Sequence, residues 1–174
     1  MKEELKEWIR DILIALVIAG IILFFLKPIV VKQESMQPTF YSDDYVLVSR
    51  QAYGILGKIE RGDVIIFESD LLDATGNNKN LIKRVIGLPG DTVEIKNGYV
   101  YLNDRIMNEP YVAEQGMSGQ MEKVTVEEGK VFAMGDNRRV SQDSRSASVG
   151  QVDQDTIVGK VVLRIYPFNS ITMF

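Results

Sequence analysis

The chain changes its hydrophobic pattern once, near residue 30. Before that point Ile12 to Leu26 is an uninterrupted apolar run, preceded by Trp8 and Ile9 and followed, after Lys27-Pro28, by Ile29-Val30-Val31. As a helix, residues 8–31 would reach about 36 Å, enough for a hydrocarbon layer of roughly 30 Å. A buried helix of a soluble protein would show a polar face, and Ile12–Leu26 has none. No small-x-small cleavage site follows, so the run reads as a retained anchor rather than a removable signal peptide. Arg10 and Asp11 are expected at one interface, with Lys27 at the other and Pro28 as the helix stop. Lys2, Lys6 and Arg10 on one flank, against Lys27 and Lys32 on the other, lean toward an N-terminus inside.

From Val30 onward the pattern is that of short strands bounded by turn residues. Tyr45–Ser49, Asp63–Phe67 and Leu81–Ile86 are short and β-branched, Lys130–Met134 reads as a strand running into the Gly135-Asp136-Asn137 turn, and Ile157–Tyr166 closes the domain as a long strand. Thr92–Lys96 and Tyr99–Leu102 flank Asn97-Gly98, which predicts a type I′ hairpin. Asp70–Asn80 reads as a polar loop and Glu114–Glu122 as an exposed one. Gly54, Gly57 and Gly62 punctuate a stretch readable as a short helix or a loop. No long amphipathic helix follows the anchor. The expectation is two parts: residues 1–31, a short cytoplasmic end with a transmembrane anchor, and residues 32–174, a mainly β domain.

The 174 residues allow one membrane segment and one modest domain. A net charge of −4 without a basic block argues against nucleic-acid partners. Cysteine is absent, so there are no disulfides; this fits an exported domain and a cytosolic one equally. No acidic spacing suggests a metal site, and no cofactor is expected.

The absence of histidine shapes the chemistry most. Without histidine or cysteine, neither a Ser-His-Asp triad nor a thiol nucleophile is possible. A nucleophilic Ser35, in Gln33-Glu34-Ser35-Met36-Gln37-Pro38-Thr39, would need a carboxylate, tyrosine or lysine as its base. The best lysine is Lys83, in Leu81-Ile82-Lys83-Arg84-Val85-Ile86-Gly87. A lysine becomes a base near neutrality only where apolar surroundings depress its pKa. Alternation puts Leu81, Lys83 and Val85 on one face, and whether that face is buried decides the matter. Ser35 lies eight residues beyond Lys27, within about 29 Å of the anchor's end.

Three stretches resemble the boxes of one family, in its order: Ser35–Thr39 (S-M-x-P-T), Lys83–Asp91 (K-R-V-x-G-x-P-G-D), and Gly135–Arg138 with Ser141–Arg145 (G-D-N-R-x-x-S-x-D-S-R). The family is the bacterial type I signal peptidases, membrane proteases using a Ser-Lys dyad. With the anchor and the intervening strands, the resemblance covers nearly the whole chain. It implies a folded-over architecture of antiparallel sheets, with Tyr99–Tyr111 in a smaller β extension and the catalytic domain outside the membrane. It implies that Ser35 attacks the scissile carbonyl, Lys83 takes its proton, and Ser141 positions the amine. Arg84, Asp143 and Arg145 would brace the site by ion pairing, and Met36 would pack beside the substrate cleft. Asp136 and Asn137 read as turn-formers. The implied partners are the lipid bilayer and exported precursors with small residues at the first and third positions before the cut.

Two departures stand out. Gln33 occupies a position where the family usually has serine or glycine. Where serine stands there, its hydroxyl helps the nucleophile's backbone N–H bind the oxyanion, so Gln33 is a candidate second donor through its side-chain amide. Arg145 is followed by Ser-Ala-Ser-Val-Gly, a longer spacing to glycine than is common, so that loop is expected to differ. The competing reading is a non-catalytic relative serving as an assembly chaperone for surface or pilus proteins. Such a protein should have lost Ser35 or Lys83, and this chain keeps both.

Overall fold

The structure is a computed structural model describing residues 2–51, 53, 57–114 and 119–174, with the side chains of residues 2, 3, 5 and 21–23 left outside that description. Its one α-helix among the described residues, α1, runs Lys2–Phe25. The described side chains of the apolar run project outward, Leu16 being 63% exposed and Val17 62%. Among the described residues, no helix is long and apolar enough to cross a membrane. The expected helix over 8–31 stops six residues short. Leu26–Val30 is instead β1, laid antiparallel on β2 (Tyr45–Ser49) with Leu26 opposite Ser49 and Val30 opposite Tyr45. Pro28 is tolerated there because β1 is an edge strand, where a missing N–H costs no ladder bond on the solvent side.

β3 (Val64–Leu72) and β4 (Asn78–Gly87) form a hairpin, and β9 (Lys130–Met134), β10 (Val152–Asp153), β11 (Ile157–Tyr166) and β12 (Thr172–Met173) complete the main sheet. Its order is β1-β2-β11-β3-β4-β9-β10, with β12 on β11, and the strand pairs are antiparallel. The expected loop over 70–80 is shorter than its polarity suggested. Pairing continues to Leu72 opposite Asn78, leaving a turn in which Asp73 Oδ1 accepts from the Thr75 and Asn77 N–H groups.

β5 (Thr92–Lys96), β6 (Tyr99–Leu102), β7 (Arg105–Ile106) and β8 (Met121–Thr125) make a second sheet, ordered β7-β6-β5-β8. The Asn97-Gly98 turn has φ of 52° and 81°, the paired positive values of a type I′ turn. β8 takes in Met121 and Glu122, which the sequence reading left in a loop, and residues 115–118 of that loop lie outside the described residues. Gly54 also lies outside them, and residues 57–63 carry no helix.

Alternation along β3 and β4 sends side chains to both faces of the main sheet. Val64, Ile66 and Ile82 join Met36, Phe40, Val46 and Val48 in one apolar cluster. Ile65, Phe67, Leu81 and Val85 join Val131 and Ala133 in another. A third, around Ile86, Val93, Phe132 and Met134, binds the second sheet to the first.

Candidate active site

Leu81 to Gly87 are all buried, so β4 carries its polar residues into the interior from both faces. Lys83 stands opposite Ile65 in the β3 register, and its face is that of Leu81 and Val85. Its side chain has 0% exposure. Nζ donates to Ser35 Oγ at 2.8 Å and to the Ile82 carbonyl at 2.8 Å. Burial pushes the ammonium pKa down from 10.5 to about 8, helped by Lys79 and Arg145 and opposed by Asp143 and Asp136. The face left open by the sequence is therefore buried, with Leu81 and Val85 packed in the core.

Ser35 is itself 5% exposed and begins a series of turns over Ser35–Thr39. Gln37 N–H donates to the Glu34 carbonyl at 3.1 Å, and Phe40 N–H to the Met36 carbonyl at 2.9 Å. Two side chains pin this segment from within. Met36 and Phe40, both 0% exposed, are core residues. Met36 thus packs into the cluster formed with Phe40, Val46 and Val48. Gln33 is half-buried and lies just before a bend at Glu34.

The third box closes over Ser35. Asn137 N–H donates to the Ser35 carbonyl at 3.0 Å, and its side-chain amide to the Glu34 carbonyl at 3.2 Å. Asp136 does more than shape a turn. At 1% exposure it takes Arg84 in a fork, Nε to Oδ1 at 2.9 Å and Nη2 to Oδ2 at 2.7 Å, and accepts from Thr39 Oγ1. Arg145 holds Asp143 likewise, both bonds at 2.8 Å, while Asp143 accepts the Gly135 N–H at 2.9 Å. Burial alone would raise the Asp143 carboxyl, but the Arg145 guanidinium outweighs it and holds the group below the ordinary range. Gly135 admits no side chain: a Cβ there would run into Ser141 and the Ser35 carbonyl. Ser141 Oγ, buried against it, lies close to Asp143 but meets hydrogen-bond geometry with no described residue. After Arg145 the chain turns tightly, Gly150 N–H donating to the Ser146 carbonyl at 2.8 Å.

Sequence reasoning missed a third clamp. Arg138, 6% exposed, donates through Nη1 to Glu109 Oε2 at 2.9 Å and through Nη2 to Oε1 at 2.5 Å. Its Nε donates to the Gly135 carbonyl at 3.0 Å. Tyr111 donates to Glu109 at 2.9 Å, and its ring lies 4.2 Å from the Arg84 guanidinium carbon. Asn108-Glu109-Pro110-Tyr111 has ordinary turn composition, and only the burial of Glu109 marks it. Among the described residues, no group of histidine, cysteine or acidic residues could hold a metal.

A serine hydroxyl hydrogen-bonded to a buried amine of lowered pKa has the parts of a hydrolase that replaces histidine with lysine. The family described as signal peptidase, peptidase S26, matches residues 5–166. The "Signal peptidase I" of Bacillus licheniformis is 37% identical over 180 residues, covering 98% of this chain and 93% of that protein. The "Signal peptidase IB" of Staphylococcus aureus (strain Mu50 / ATCC 700699) is 37% identical over 187 residues, covering 97% and 93%. A crystal structure of a signal peptidase I from Enterococcus faecalis V583 is 33% identical and covers 59% of this chain and 96% of its own, with a TM-score of 0.49. The chain belongs to the signal peptidase I family, peptidase S26.

Proposed function

We propose that this protein is a membrane-anchored type I signal peptidase that removes signal peptides from exported precursors at the outer membrane surface. Ser35 is the nucleophile and Lys83 the general base. The observation that carries the reading is the buried 2.8 Å hydrogen bond between Lys83 Nζ and Ser35 Oγ. In the neutral form Lys83 takes the Ser35 proton as Oγ attacks the scissile carbonyl. The ammonium then gives that proton to the departing amine, and water hydrolyses the acyl-enzyme by the same exchange. The Ser35 N–H and the Gln33 amide are the candidate oxyanion donors. Asp136 with Arg84 and Asp143 with Arg145 hold the backbone on which the dyad rests.

The anchor we propose is α1, whose apolar part, residues 12–25, reaches about 21 Å as a helix. The apolar run Ile12–Leu26 and the basic residues ahead of it support a single pass with the β domain, from Leu26 on, outside. The test is incubation of detergent-solubilised protein with a precursor, with the cut mapped by mass spectrometry. Ser35→Ala and Lys83→Ala each abolish cleavage, and the double variant is no worse than either, because the pair acts as a unit. Appreciable cleavage by either pure single variant would sink the assignment.

A further inference from the structure

We infer that a groove beside Ser35 seats the exported side of the precursor, the residues just after the cut; this rests on the peptidase reading above. The groove holds about 540 Å³ and starts at Gln37 and Pro38, immediately past the nucleophile. Asn137, whose N–H binds the Ser35 carbonyl, lies in its lining, so the groove adjoins the backbone of Ser35. Its far wall is Val112 to Glu114, from the connection between β7 and β8. That wall is held in place: Val112 N–H donates to the Glu109 carbonyl at 3.2 Å, and Glu109 is tied to buried Arg138. The second sheet thus supplies a fixed surface beside the site.

Two arms lead away from Ser35, and their chemistry differs. The first is the outer edge of β4, because β9 joins β4 only from Arg84 on. Among the described residues, no strand pairs with that side of Asn78–Lys83, and this arm leads to buried Leu81 and Ile82. The second is the groove, bordered by Glu114 and Arg139, an exposed pair at 3.2 Å whose side chains are 72% and 74% accessible. A signal peptide presents apolar and small side chains before the cut, whereas the exported chain after it has ordinary polar composition. A groove mixing Tyr41 and Val112 with both signs of charge at its rim suits the second and gives the first nothing to desolvate against. Balanced rim charges also leave the natural enzyme tolerant of either sign, as an enzyme with many substrates requires.

The test reverses the rim charges. Arg139→Glu and Glu114→Arg, singly and together, are assayed as the full-length protein in detergent. The substrates are precursors identical up to the cut and carrying either two Glu or two Lys within the next four positions. Arg139→Glu lowers kcat/KM for the acidic precursor about five-fold relative to the basic one, and Glu114→Arg does the reverse. The double variant returns to near-indifference, and all preferences fade at about 1 M salt. A ranking that does not move, or one that follows charges placed before the cut, overturns the groove assignment while Ser35-dependent cleavage still stands. Absence of Ser35-dependent cleavage with every precursor would overturn the peptidase reading beneath it, and this one with it.

Discussion

Replacing Lys83 with methionine should abolish activity and yet make the protein more stable at neutral pH. Burial holds the Lys83 pKa near 8 against an ordinary 10.5, a depression worth about 3 kcal/mol. Below pH 8 the amine is charged in folded and unfolded chains alike, and the folded chain bears the whole desolvation penalty. Between 8 and 10.5 the unfolded chain binds more protons than the folded one, so stability rises with pH; above 10.5 both are neutral and the penalty is gone. Methionine fills similar volume without charge, but it forfeits the hydrogen bonds to Ser35 and Ile82, about 1 kcal/mol each. The variant should therefore gain about 1 kcal/mol at pH 7 and lose it at high pH. The more robust quantity is the difference between the two proteins, which cancels every other titration. From pH 7 to pH 10, wild type should gain about 2–3 kcal/mol on Lys83→Met. Urea unfolding of both proteins in the same detergent, at several pH values, measures it. A difference flat to within about 1 kcal/mol would mean that Lys83 is not desolvated as its geometry implies.

The acid limb of kcat/KM should have its midpoint at about 8, where the free enzyme's Lys83 loses its proton; a midpoint near 10 would contradict the buried amine. Asp136→Ala leaves buried Arg84 without its carboxylate, which should cost about 3–5 kcal/mol and lower Tm by roughly 10 °C in a thermal melt. Gln33→Ala and Gln33→Glu should lose about 10²- to 10³-fold in kcat with little change in KM, and Gln33→Ser should keep part of it. Unchanged kcat in Gln33→Ala would remove that side chain from the oxyanion site.

The sequence was most informative where the physics is local. Asn97-Gly98 specified its hairpin because a type I′ turn needs two positive φ values. Histidine's absence narrowed the base to a few residue types, and the motif order singled out Lys83. What escaped were facts that depend on distant partners. Alternation put Leu81, Lys83 and Val85 on one face, but the Ile65 that lies opposite Lys83 belongs to another strand. Pro28 looked like the helix stop, whereas the helix ends at Phe25 because Leu26–Val30 finds β2. Asp136 looked like turn chemistry because its Arg84 partner is 52 positions away. Glu109 carried no signal at all, its role existing only where the second sheet leans on Arg138.

The reach of the contacts around Ser35 also orders events in the life of the chain. Ser35 and its turn leave the ribosome early, but Lys83 follows 48 residues later and the Asn137 that binds Ser35's carbonyl later still. Arg164, donating to the Thr39 carbonyl across 125 positions, comes last. Synthesis runs from the N-terminus, so on the proposed reading a copy that stops before Lys83 or Asn137 would lack the partners that hold Ser35, and should show no cleavage.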